Sequence, residues 1–83
     1  MIFEHHILYF KPHCPYCERV LEFCRRNSVS LVMKNIGTDR SAFEELVQVG
    51  GKSQVPCLVH GGKALYESQD IIEYFVDKIE KER

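Results

Sequence analysis

YFKPHCPYCERV, residues 9–20, is the stretch on which the fold turns. It joins the end of an apolar, aromatic run to the start of an amphipathic one. On its N-terminal side HHILYF, residues 5–10, is short and rich in β-branched and aromatic residues, and reads as a strand. Lys11–Pro12–His13 breaks it. Pro15 stands where a first helical residue belongs, because the N–H it lacks would have no partner there. From Cys17 onward the apolar positions are Cys17, Val20, Leu21 and Cys24, the spacing of one helix face. That helix runs to Arg26, and Asn27–Ser28 ends it.

Residues 30–36 (SLVMKNI) read as a second strand, and Gly37–Thr38–Asp39 as a turn. Asp39 or Ser41 is placed to cap a second helix, with Ala42, Phe43, Leu46 and Val47 as its apolar stripe. Gly50–Gly51 stops it. Residues 55–60 (VPCLVH) form a third strand and Lys63–Tyr66 a fourth, joined by a Gly61–Gly62 hairpin turn. A proline so near the start of a strand is unusual, since it cannot donate to the ladder. Ser68 or Asp70 caps a last helix, whose buried stripe is Ile71, Ile72, Phe75, Val76 and Ile79. The order is βαβ–α–ββα: a right-handed parallel unit, then an antiparallel hairpin, giving an α/β fold with a four-stranded mixed sheet flanked by three helices.

The chain has 83 residues, one domain with no internal repeat or linker. A chain this short buries only about 60–65% of its unfolded surface, so its core is thin. Its formal net charge is -1, without the basic excess of a general nucleic-acid binder. No apolar run approaches the roughly 18 residues of a membrane span. Glu4, His5 and His6 interrupt the N-terminal apolar run, which therefore does not read as a signal peptide. The expected setting is the cytoplasm, with no membrane and no nucleic-acid partner, and the expected state is a monomer.

Four cysteines, Cys14, Cys17, Cys24 and Cys57, fit that reducing setting as redox or metal chemistry better than as a disulfide framework. Cys14 falls at the N-terminal cap of the first helix, where free N–H groups and the helix dipole stabilise a thiolate. Cys17 lies about one turn on and faces the core stripe. The asymmetry assigns roles: Cys14 attacks and Cys17 resolves. Lys11 adds positive charge at the same corner. Zinc would need a tetrahedral ligand set, and Cys24, two turns along on the buried stripe, is badly placed to join one. Strand, Cys-x-x-Cys and helix in that order favour redox over metal. His5 and His6 point to opposite faces of a strand and cannot chelate together, and His60 borders the hairpin in solvent. Cys24 and Cys57 read as buried structural thiols.

The segment from Tyr9 to Val20 resembles the active site of dithiol glutaredoxins, and Cys14–Pro15–Tyr16–Cys17 is far more specific than Cys-x-x-Cys alone. Gln54–Val55–Pro56 resembles the Thr-Val-Pro segment whose proline is cis across the thioredoxin superfamily. The likeness covers nearly the whole chain in element order and length. It implies a thioredoxin-like fold and a glutathione-dependent thiol–disulfide oxidoreductase, with glutathione as co-substrate and no permanently bound cofactor or metal. It also implies glutathionylated or disulfide-containing proteins as partners. By resemblance, Val55, before Pro56, offers its backbone to the cysteine part of glutathione, and Lys11 and Arg40 pair with the glycine carboxylate. Tyr16 lines the groove. Ser68 and Gln69, at the turn into the last helix, hold the γ-glutamyl carboxylate, a role compatible with Ser68 also acting as a cap.

The chain departs from glutaredoxins where they commonly carry Gly-Gly-Cys-Asp-Asp. Here Tyr66–Glu67–Ser68–Gln69–Asp70, followed by Ile71–Ile72–Glu73–Tyr74–Phe75, looks more like the N-terminal domain of glutathione transferases, as does Gln54 in place of Thr. Three other functions compete, of which a thioredoxin-like disulfide reductase fed by a reductase protein is disfavoured by Cys-Pro-Tyr-Cys in place of Cys-Gly-Pro-Cys and by the absence of Trp. A transferase-like module would need a helical second domain for its acceptor, for which 83 residues leave no room. An iron–sulfur carrier would bridge a cluster through Cys14 and glutathione, a role for which the proline-containing dithiol forms of the family are the poorer binders.

Overall fold

The computed structural model describes residues 1–82. Strand β1 (Ile2–Phe10) leads into helix α1 (Pro15–Arg26) and strand β2 (Ser30–Asn35). Helix α2 (Arg40–Gly50), strands β3 (Cys57–His60) and β4 (Lys63–Leu65), and helix α3 (Ser68–Lys81) follow. The sheet order is β2-β1-β3-β4; β1 and β2 are parallel, and β3 runs antiparallel to both β1 and β4. This is the expected thioredoxin-like arrangement of a mixed sheet and three helices.

Strand alternation divides the core in two. Leu8 and Leu58 point to one face and pack with Val20 and Cys24 of α1 and Ile71 and Phe75 of α3. Tyr9 and Cys57, one residue along, point to the other and pack with Ala42 and Leu46 of α2. The 3.6-residue stripes of the helices thus meet the two-residue period of the central strands on both sides.

Four local expectations are corrected. β1 begins at Ile2 rather than His5, because a bulge at His5 (φ 63°) lets the strand resume pairing after an irregular register. That bulge leaves His5 exposed and turns the buried His6 inward, stacked on His60 with ring centroids 3.9 Å apart. β3 starts at Cys57, not Val55, since Pro56 has no N–H for the ladder. In α2, Ala42 and Leu46 are fully buried, but Phe43 and Val47 remain about 40% exposed: the helix beds on a narrower stripe than the apolar spacing suggests. In α3, Glu67 rather than Ser68 or Asp70 is the capping residue, and its side chain makes no capping hydrogen bond. Asp39 does cap α2, its carboxylate accepting from the Ala42 N–H at 3.2 Å.

Candidate active site

Cys14 caps α1 in an extended conformation (φ −106°, ψ 114°). Its Sγ accepts a hydrogen bond from the Cys17 N–H at 3.4 Å. Partial burial works against ionisation of this thiol. Hydrogen bonds from the Cys17 thiol and from the Cys17 and Tyr16 N–H groups, together with the Lys11 charge, outweigh it and hold Cys14 below the ordinary thiol range. Cys17, three residues on, is fully buried, and burial pushes its thiol up to about 12. The two sulfurs at this corner are thus shifted in opposite directions, Cys14 towards the thiolate and Cys17 towards the thiol.

Val55–Pro56 is a cis peptide bond. Beside it lies a cleft of about 360 Å³ lined by Tyr16, Gln54, Val55, Pro56, Tyr66, Glu67 and Ser68. Tyr16 is 62% exposed at its mouth. Among the described residues no turn or loop backbone hydrogen bond uses Val55. Ser68, the first residue of α3, is only 6% exposed, and its hydroxyl accepts from Arg19 Nη1 at 3.5 Å.

The fold therefore gathers Tyr16, Val55, Pro56 and Ser68 around one cleft, from three separated parts of the chain. Lys11 is exposed just before the Cys14 corner, close enough for its charge to act on the thiol. Gln69 does not line the cleft: its Oε1 accepts from Arg19 Nη2 at 3.0 Å and its Nε2 donates to Glu73 at 3.1 Å. Arg40 lies apart, exposed, 3.9 Å from Glu44, on a separate depression with Gly37 and Thr38. Cys24 and Cys57 are buried, and burial pushes both thiols up to about 11. Among the described residues no group of three or more His, Cys, Asp or Glu is placed to hold a metal ion, and no helix is long and apolar enough to cross a membrane.

Two contributors were not anticipated from the sequence. Tyr66 forms a wall of the cleft, its hydroxyl donating to the Lys52 carbonyl at 3.1 Å with the Lys52 ammonium 4.4 Å from its ring centroid. Its only signal is an aromatic residue directly before the turn. Arg19 reaches from α1 to the start of α3, and as one charge on a helix flank it carries no signal at all.

The glutathione S-transferase N-terminal domain model matches residues 8–83. No curated protein matches the sequence. Among solved structures, a thioredoxin-like protein superposes with a TM-score of 0.75 at 25% identity, over 90% of this chain and 94% of its own. A delta-class glutathione transferase from Nilaparvata lugens gives 0.69 at 29% identity, over 87% of this chain but 35% of its own. A buckwheat glutaredoxin solved as a glutathione complex gives 0.67 at 21% identity, over 89% of this chain and 70% of its own. The chain thus spans about a third of the transferase and most of the two smaller proteins. With a thioredoxin-like sheet, a capped Cys-Pro-Tyr-Cys corner and a family match along almost its whole length, the chain belongs to the glutathione S-transferase N-terminal domain family.

Proposed function

We propose that this domain is a glutathione-dependent thiol–disulfide oxidoreductase of glutaredoxin type. The observation that carries the reading is the division of labour between two sulfurs one turn apart: Cys14 held below the ordinary thiol range and Cys17 buried and pushed up to about 12. A reductase needs a nucleophile that is also a good leaving group near neutral pH, and a resolving thiol that stays protonated until called upon.

The Cys14 thiolate attacks the glutathione sulfur of a mixed disulfide. The substrate thiolate leaves and takes up a proton, and Cys14 becomes joined to glutathione. A second glutathione, as thiolate, attacks the glutathione sulfur of that intermediate; glutathione disulfide departs and Cys14 returns as thiolate. The net reaction consumes one glutathione and one mixed disulfide and yields one thiol and one glutathione disulfide. With a protein disulfide, Cys17 loses its proton and attacks Cys14 instead, and the internal disulfide is then reduced by two glutathiones. Glutathione lies in the cleft with its cysteine part along Val55 and its γ-glutamyl carboxylate at Ser68. Lys11 serves the glycine end; Arg40, on its own depression, would have to swing towards the cleft to share that role.

The test is turnover of a small glutathione mixed disulfide by wild type, Cys14→Ser and Cys17→Ser. Cys14→Ser is expected to lose all activity, and Cys17→Ser to keep turnover of mixed disulfides while losing that of protein disulfides. Activity surviving in Cys14→Ser overturns the assignment.

The family match favours one second reading, a transferase-like module that joins glutathione to an electrophile. Conjugation of glutathione to chlorodinitrobenzene by wild type, undiminished in Cys17→Ser and without disulfide reductase activity, would replace the first reading with this one.

A further inference from the structure

We infer that Arg19 is a positioning residue that makes the Ser68 end of the cleft selective for a carboxylate, a role that rests on the glutathione reading above. Arg19 lies two residues beyond Cys17 on α1, whose place is fixed by the fully buried Cys17 and Val20. Its guanidinium spans to α3, with Nη1 on the Ser68 hydroxyl at 3.5 Å and Nη2 on Gln69 Oε1 at 3.0 Å. A guanidinium only donates. It therefore occupies a lone pair of the Ser68 oxygen and leaves the hydroxyl hydrogen to point elsewhere, and Ser68 lines the cleft. The same fork holds the Gln69 side chain along the helix flank, tied on to Glu73, and so keeps its carbonyl oxygen out of the cleft. Ser68 therefore turns a donor, its hydroxyl hydrogen, towards the cleft, beside the Glu67 that lines the same end, and a carboxylate accepts from such a donor.

The charges around this end give the arginine a second task. Glu67 caps α3 without engaging its N–H groups, and Asp70 sits in the same first turn. Two carboxylates would repel an incoming anion. Arg19 places a positive charge between the thiol helix and this acidic turn, offsetting them where the γ-glutamyl carboxylate would lie. It also ties the helix that carries the nucleophile to the turn that carries the ligand.

The experiment compares two reductants, glutathione and cysteinylglycine, the dipeptide that lacks the γ-glutamyl group. Both are supplied to the mixed disulfide of glutathione and mercaptoethanol, and mercaptoethanol release is followed chromatographically. The variants are Arg19→Met, Arg19→Lys, Ser68→Ala and Arg19→Met/Ser68→Ala. Arg19→Met is expected to lower the preference for glutathione over the dipeptide by about tenfold, through the KM for glutathione rather than through kcat. Arg19→Lys, which keeps the charge but not the fork, should lose less. In the double variant the Arg19 change should add little to that of Ser68→Ala, since one acts through the other. An unchanged preference, or an equal loss for both thiols, overturns the inference, the second outcome marking Arg19 as a structural tie only. A wild type that turns over neither thiol instead overturns the oxidoreductase reading, and this inference with it.

Discussion

Cys14 differs from the other three cysteines in depth and in partners. It is half-buried and hydrogen-bonded at a helix cap, whereas Cys17, Cys24 and Cys57 are at most 2% exposed, with thiols pushed up by burial. Brief iodoacetamide treatment of the reduced protein at about neutral pH should therefore give one adduct per chain, located on Cys14 by peptide mass mapping, because the thiolate is the species that reacts. Comparable labelling of Cys17 or Cys57 would contradict the burial pattern. His6 makes a second residue-scale prediction. Its Nδ1–H donates to the Glu4 carbonyl at 2.8 Å and its Nε2 lies 2.7 Å from the Tyr74 hydroxyl, which can donate to the neutral ring. Burial first, partly opposed by the Glu4 bond and reinforced by His60, Lys78 and His5, lowers its pKa from 6.5. The unfolded chain then binds the proton more readily, so this contribution to stability is fully present above about pH 6.5 and is lost as pH falls through the lower folded value. The thermal midpoint should drop between about pH 7 and about pH 5, and His6→Gln should flatten that slope; equal slopes would remove His6 from the account.

At the scale of elements, the end of α2 lies tight against Tyr66, two residues before α3. A Cβ added at Gly50 would stand 1.7 Å from the Tyr66 hydroxyl and 2.7 Å from its ring carbon. Gly50→Ala must therefore displace Tyr66 from the cleft wall and from its bond to Lys52. It should destabilise the domain by about 1–3 kcal/mol in urea unfolding. In a Tyr66→Ala background the same change should be neutral or slightly stabilising, as alanine suits a helix better than glycine. A penalty that persists without Tyr66 would refute the clash. The elements themselves were legible where a local pattern carries them: Pro15 after Cys14, the Cys17–Val20–Cys24 stripe, Asp39 before Ala42. They were not legible where a distant partner decides. The bulge at His5 follows from how β1 meets two neighbours, and no hydropathy pattern marks it. Phe43 and Val47 have helical spacing with Ala42 and Leu46, yet the sheet is wide enough to cover only the latter pair.

The whole molecule has little stability in reserve. A chain of this length holds about 4–12 kcal/mol against unfolding. Phe75 is fully buried, edge-on to Phe3 at 5.0 Å and stacked with Phe23 at 6.1 Å. Phe75→Ala should cost about 3–5 kcal/mol, enough to leave much of the population unfolded at physiological temperature, and near-native urea unfolding would contradict that. The site shows the same contrast between local and distant information. The placement of Cys14 at the helix cap and of Cys17 in the core was readable because the two lie within one turn. Arg19 was not, because its partners are 49 and 50 residues away. Arg40 was assigned by resemblance, and it sits on a depression with Gly37 and Thr38, its exposed side chain 3.9 Å from Glu44.

The register of the sheet has a practical corollary. Tyr9 is paired with Cys57 near the thiol corner, and His6 with His60 at the far end of the same ladder. The Gly61–Gly62 turn therefore closes the hairpin at the opposite pole, both glycines left-handed and with nothing within 4 Å of where a side chain would begin. Exposed loop tips of this kind accept inserted sequence with little cost. A reporter peptide or a second protein grafted between Gly61 and Gly62 would ride on the domain some three to four strand residues beyond the Tyr9–Cys57 pair, about 10–13 Å along the ladder from it and away from the thiol corner. The fold thus comes with a built-in attachment point for cargo at the pole away from the Cys14 corner.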